Sequence, residues 1–146
     1  MQAISNGELQ ITVPMDANNL ADLRWRAWSY LTAATIAPGM VEDILIALHE
    51  AVANAVAHSA SATPIGVRLK ATRTRVIIEV SDEGVGIDPA VHLPTRPPSL
   101  LAEGGRGLFM IWTLMNSVRL VDSRGTHLVM VKELFPKDLT GEAATD

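Results

Sequence analysis

No cysteine occurs among the 146 residues. Disulfides, thiolate nucleophiles and thiolate metal sites are therefore excluded outright, and the absence fits a cytoplasmic setting. A basic tract is lacking too, and the formal net charge is −4. That argues against direct nucleic-acid binding, which is dominated by neutralisation of phosphates. No apolar run reaches the ~20 residues needed to span a bilayer. The opening Met1-Gln2-Ala3-Ile4-Ser5-Asn6-Gly7-Glu8 lacks the basic start and apolar stretch of a signal peptide. The expectation is a soluble cytoplasmic protein with no membrane contact.

What is present is the composition of a folding chain, 48% hydrophobic and 19% charged. Its length suits one domain with a proper core. No internal repeat or second domain is visible, so a single domain is expected over residues 1–146, with its core at about 9–134. The polar tail 136–146 is expected to fray.

Residues 8–13 alternate polar and apolar, which predicts a strand with one buried face, ended by Pro14. Asn18 or Asn19 can cap a helix carrying Leu20, Leu23, Ala27 and Leu31 at helical spacing. Composition alone puts Trp25 and Trp28 of that helix in the core, with an interface as the other use. Pro38-Gly39 is read as a break, followed by a helix over about 40–58 with Glu42 and Asp43 in its first turn. Strands are predicted at 65–71 and 75–81, the second central because Val76-Ile77-Ile78 is β-branched throughout. The segment 88–103, with Pro89, Pro94, Pro97 and Pro98, reads as a long functional loop. A helix over 107–116 and a closing hairpin of 118–122 with 127–135 follow. This order predicts an α+β fold: a two-layer α/β sandwich, with a mixed, mostly antiparallel sheet and helices on one face. It is not the βαβ alternation of a Rossmann fold.

Three segments carry candidate chemistry. In the second helix, Glu50, Asn54 and His58 recur every four residues. At about 100° per residue they fall on a stripe roughly 80° wide. Ile44, Leu48, Ala51 and Ala55 define the neighbouring stripe that faces the sheet. The polar stripe thus borders the core, and the small residues Ala47 and Ala51 beside it leave room for a ligand. A carboxylate there can deprotonate a nucleophile, and an amide oxygen can ligate Mg²⁺. His49-Glu50 begins like a zinc-protease motif, but Ala53 stands where the second histidine is required. His92 and His127 show no ligand spacing and are expected to be structural or exposed.

The second segment, Asp82-Glu83-Gly84-Val85-Gly86-Ile87-Asp88, follows the central strand. A carboxylate at a strand end can accept a hydrogen bond from an exocyclic amine. Gly84 and Gly86 let the backbone approach a planar ring. Calcium is an alternative for these acids, although the EF-hand spacing is absent. The third, Gly104-Gly105-Arg106-Gly107-Leu108, opens a helix, where free N–H groups and the dipole favour phosphate. Arg106 adds a cation with fork geometry. No Gly-Lys-Ser/Thr follows, so this is not a Walker loop. Singly, each segment has an ordinary reading as well: a solvated helix face, a plain turn, a hinge.

Together the three resemble the N, G1 and G2 boxes of the Bergerat-fold ATPases. The Glu-x-x-x-Asn-x-x-x-His form and Asp-Glu-Gly-Val-Gly-Ile-Asp-Pro are most similar to the bacterial anti-sigma-factor serine/threonine kinases, over about residues 9–134. By that resemblance, Glu50 is the catalytic base and Asn54 the Mg²⁺ ligand. Asp82 reads adenine above Gly84 and Gly86, and Thr126 supports that contact. Gly104, Gly105, Arg106, Gly107 and Leu108 form the phosphate-covering turn, with His58 a phosphate-proximal polar residue. Ser59 departs from the pattern, which commonly has glycine after this histidine. The loop 88–103 corresponds to an ATP lid. The resemblance implies ATP and Mg²⁺ as cofactors, and a kinase that phosphorylates an anti-anti-sigma protein of the STAS type. It also implies sequestration of a sigma factor by partner switching, and a homodimer. Two alternatives stay open: a non-catalytic nucleotide-binding switch, and a histidine-kinase-type ATPase domain.

Overall fold

Leu9, Ile11 and Val13 are buried while Gln10 and Thr12 between them are exposed. This period-2 alternation is what a strand with one covered face requires. The structure is a computed structural model and describes residues 2–5, 7–14, 19–58, 64–82, 106–121 and 127–134. Its strands are β1 (Gln2–Ser5), β2 (Glu8–Val13), β3 (Ile65–Ala71), β4 (Arg75–Ser81), β5 (Ser117–Leu120) and β6 (His127–Glu133). Its helices are α1 (Leu20–Ala33), α2 (Pro38–His58) and α3 (Arg106–Leu114).

The strands form one sheet in the order β1-β2-β3-β4-β6-β5. All five pairings are antiparallel, which corrects the expected mixed sheet. The reason lies in the connections. The β2–β3 connection contains two helices, so the chain returns to the end from which it left. Among the described residues α3 lies between β4 and β5 in the chain, and these two strands do run the same way, but β6 inserts between them. Strand β4 lies inside the sheet, as its β-branched run predicts. Strand β1 went unpredicted, although Asn6-Gly7 is a strong hairpin signal. Gly7 has φ +77° in the turn that pairs Ser5 with Glu8.

All three helices contribute to one core with the inward strand residues: Leu23, Ala27 and Leu31 from α1, Ile44, Leu48 and Val52 from α2, and Ile111 from α3. Removing one such leucine costs about 2–5 kcal/mol. Helix α2 packs against α1 and α3 and reaches β4 and β6 beneath. It begins at Pro38, so the proline opens the helix where a break was expected. Proline suits a first helical position, because its missing N–H would have no partner there. Glu42 and Asp43 consequently fall in the second turn, not the first.

The turn before α2 closes α1 by a Schellman pattern. Ile36 N–H reaches the Leu31 carbonyl at 3.3 Å and Thr35 N–H the Thr32 carbonyl at 3.0 Å. Thr35 holds φ +59° at the position where glycine is favoured. Ile36 packs against the core. Two side chains tie the layers further. The Tyr30 hydroxyl donates to the Gly7 carbonyl and accepts from Ala71 N–H at 3.0 Å, pinning α1 to the first hairpin and to the end of β3. Lys132 Nζ donates to the Leu114 carbonyl at 2.7 Å and to Asp43 Oδ2 at 3.1 Å. It thereby fastens the end of α3 to α2 across β6.

Candidate active site

The polar stripe falls on the C-terminal half of α2. Glu50 and Asn54 are both half-buried, as groups bordering a core should be. Ala47 and Ala51 are fully buried in the core. They belong to the packed side of α2, so they add no exposed surface of their own beside the polar stripe. His58 is the last residue of α2, and its side chain lies outside what is described.

Asp82 follows β4 directly and is 5% exposed. Among the described residues it is the one buried charged side chain. It is not without a partner. Burying a carboxylate is costly unless its oxygens are bonded, which is why a buried Asp82 carries a partner at this strand end. Arg106, Gly107 and Leu108 form the first turn of α3, which packs against α2. Their side chains are not described. Gly84, Gly86, Gly104, Gly105 and Thr126 lie outside the described residues, as do Ser59 and the proline-rich segment 88–103. Helix α2 thus packs against both β4, which Asp82 follows, and α3, which Arg106 opens. Chemically this offers a carboxylate and an amide on one helix, a buried carboxylate at a strand end, and the N–H groups of a helix start for an anion.

The metal reading can be tested on donor chemistry. Among the described residues no group of three or more His, Asp or Glu could hold a metal ion. A lone amide oxygen such as that of Asn54 can join a Mg²⁺ shell only where phosphate and water supply the other ligands.

Two residues assigned to the core by composition are on the surface. Trp25 is 63% and Trp28 43% exposed. Their rings stack with centroids 5.3 Å apart and planes at 17°. Helical phase carries the signal that composition lacks. Trp25 stands about 200° from Leu23 and Trp28 about 100° from Ala27, off the stripe that α1 buries. The two indoles line an open groove of about 710 Å³ between α1 and α2, and Glu50 belongs to the wall of that groove. On the opposite face of the sheet, His127 Nε2 lies 2.7 Å from Glu79 Oε1, a structural contact as expected for this histidine.

A family model described as "Histidine kinase-like ATPase domain" matches residues 13–132. The chain is 33% identical over 104 residues to the serine-protein kinase RsbW of Bacillus subtilis strain 168, covering 64% of this chain and 65% of that protein. It is 31% identical over 113 residues to RsbW of Listeria innocua, covering 70% and 72%. The fold resembles the RsbU and RsbW domains of a Mycobacterium tuberculosis protein, with TM-score 0.66, 21% identity, and 88% of this chain and 33% of that one covered. It also resembles the SiaB–SiaC complex of Pseudomonas aeruginosa, with TM-score 0.59, 14% identity and 86% and 88% covered. The α+β sandwich read from the sequence is thus the fold of a known group of proteins. The chain belongs to the histidine kinase-like ATPase domain family, within which it is similar to the RsbW serine-protein kinases.

Proposed function

We propose that the protein is an ATP-dependent serine/threonine protein kinase that phosphorylates an anti-anti-sigma protein of the STAS type. Released or bound according to that phosphorylation, it sequesters a sigma factor by partner switching, as a cytoplasmic homodimer. The likeness to the RsbW serine-protein kinases supports the activity, and the match to an ATPase family supports ATP as the phosphoryl donor. The single observation that carries the catalytic reading is the position of Glu50. It is a half-buried carboxylate on the wall of an open groove, one helical turn before the half-buried amide of Asn54.

In this reading Asp82 accepts a hydrogen bond from the adenine amine, and Gly84 and Gly86 admit the ring. Thr126 supports the same contact. Asn54 would hold Mg²⁺ through its amide oxygen, and the ion would offset charge on the phosphates. The N–H groups of the Gly104–Leu108 turn, with Arg106 and His58, hold the phosphate chain. Glu50 takes the proton of the acceptor hydroxyl as its oxygen bonds to the γ-phosphorus and the bond to ADP breaks. General base catalysis of this kind contributes about 10²–10⁴-fold. Positioning and preorganised charge supply the rest.

The test is incubation with γ-labelled ATP, Mg²⁺ and a purified STAS-domain protein from the same cell. Acid-stable label on a serine or threonine of that protein is the expected result. Nucleotide binding without any transfer would leave a non-catalytic switch, and acid-labile label would point to a histidine-kinase-type domain.

A further inference from the structure

Lys132 stands where the pattern of its strand asks for an apolar residue. Leu128 and Met130 precede it on the core face of β6, and both are buried. Its neighbour across the ladder is Val76, which is fully buried. The Lys132 side chain is 13% exposed. A cation in such a place is costly unless it is paired, and an aliphatic side chain would fill the space without that cost. Lys132 has two partners, on different elements: the Leu114 carbonyl at 2.7 Å and Asp43 Oδ2 at 3.1 Å.

The place of these partners is informative. Leu114 is the last residue of α3, whose first residues are assigned to the phosphates. Asp43 lies in the second turn of α2, about three turns before Asn54. Lys132 itself lies beside Val76 at the start of β4, whereas Asp82 follows the other end of that strand. Lys132 thus grips α2, α3 and β6 away from the ends that carry the proposed site.

Of the three, α3 depends most on this grip. It has nine residues, so its start stands about 12 Å from Leu114. A tilt of about 5° at Leu114 moves that start by about 1 Å. Shifts of this size weaken hydrogen bonds to a ligand and misplace reacting groups. Asn116 fixes the turn after α3 to β6: its N–H donates to the Val131 carbonyl and its Oδ1 accepts from Glu133 N–H, both at 2.8 Å. Lys132 adds α2 to that junction, and α2 carries Glu50 and Asn54. The β4–β6 ladder, by contrast, is held by its own backbone pairing.

We propose that Lys132 is a positioning residue: through Leu114 and Asp43 it sets the start of α3 against α2, and so governs the grip on the phosphates of the nucleotide but not on its base. The proposal rests on the nucleotide-site reading of Asn54, Asp82 and the 104–108 turn.

The test uses the full chain and four variants. Lys132→Met keeps the length of the side chain and removes the donor, and Lys132→Arg keeps a donor. Asp43→Ala removes the second partner, and Lys132→Met/Asp43→Ala combines the two losses. Mg·ATP affinity is measured by calorimetry, adenosine affinity by ligand-observed NMR, and the melting temperature without ligand. Adenosine has no phosphate, so it reports the base site without the turn that opens α3. Lys132→Met should weaken Mg·ATP about tenfold or more and leave adenosine within about twofold. Lys132→Arg should recover most of the loss. Asp43→Ala should weaken Mg·ATP about two- to fivefold and add nothing further in the double variant. Unchanged Mg·ATP affinity in Lys132→Met overturns the proposal and spares the nucleotide site. Equal loss of both ligands means general loosening and also overturns it. If Lys132→Met does not fold, Asp43→Ala decides, since that carboxylate is 37% exposed: selective loss of Mg·ATP supports the proposal, and no loss or a parallel loss of adenosine overturns it. Wild-type protein that binds neither ligand overturns the nucleotide reading and the proposal with it.

Discussion

On one flank of α2, Ile44, Leu48 and Val52 are sealed against the sheet. On the neighbouring flank, Glu50 and Asn54 keep part of their surface in water. The two flanks share one helix, one backbone and one set of hydrogen bonds, so the difference between them is one of side-chain environment. The sealed flank makes the fold stable and can recognise nothing. The open flank contributes little to stability, and it holds groups whose chemistry needs access. The comparison teaches that substitutions on α2 should separate by phase: every change on the first flank should cost stability, and every change on the second should cost binding or rate.

The sharpest way to break this comparison is Glu50→Gln. It should lower kcat about 10²–10⁴-fold with nucleotide affinity and melting temperature nearly unchanged, measured by single-turnover transfer and thermal unfolding. Next is Leu48→Ala, which should cost about 2–5 kcal/mol of stability by denaturant titration. Its loss should be the same with and without nucleotide. Asn54→Ala should weaken Mg·ATP binding about 10- to 100-fold, the range for loss of a bond to a charged group, with little change in the melting of the nucleotide-free protein. Equal loss of stability with and without nucleotide would place Asn54 with the structural flank. Asp82→Asn should then weaken the preference for ATP over GTP about tenfold by competition binding; an unchanged preference would remove Asp82 from adenine recognition. The smallest effect belongs to the turn that sets α1 against α2. Thr35→Gly should raise stability by up to about 1 kcal/mol, because Thr35 holds φ +59° where a side chain is disfavoured.

The opposite face of the sheet gives a second contrast with the groove. Glu8 lies near Arg68 and Lys70, Arg68 near Glu79, and Glu79 against His127. These half-exposed charges answer one another, and each such pair contributes only about 0–1 kcal/mol. A hollow of about 300 Å³ lies over this network. Its charges are already matched within the fold. The groove at Trp25 and Trp28 differs in its exposed, stacked indoles, with Arg24 and Glu42 both in its wall.

Much of the fold was legible because its signals are local. Strands 65–71 and 75–81 announce themselves by alternation around a polar turn, and the structure places them at the same residues. The buried stripe of α1 follows from helical spacing alone. What was misread depended on partners far away in sequence or on a prior that ignored phase. Insertion of β6 between β4 and β5 is a tertiary choice that no local pattern encodes, and it turned the expected mixed sheet into an antiparallel one. Pro38 was taken for a break because proline usually is one, yet it also fits a helix start. Trp25 and Trp28 were placed in the core by residue type, when their phase on α1 points outward. Of the candidate site, Glu50, Asn54 and Asp82 were singled out by spacing and strand position; Glu50 and Asn54 are half-buried and Asp82 is buried, and the roles given to them are proposals. The glycines at 84, 86, 104 and 105 and Thr126 lie outside the described residues, so their roles rest on the family resemblance.

The central claim is most directly tested by titrating the purified protein with Mg·ATP while following heat and melting temperature. The account predicts saturable binding of one nucleotide per chain, weakened about 10- to 100-fold in Asn54→Ala. At a hundredfold excess over Kd the gain is about 2.7 kcal/mol, which raises the melting temperature by roughly 5–10 °C for a chain of this size. No heat and no shift in the wild-type protein would contradict it.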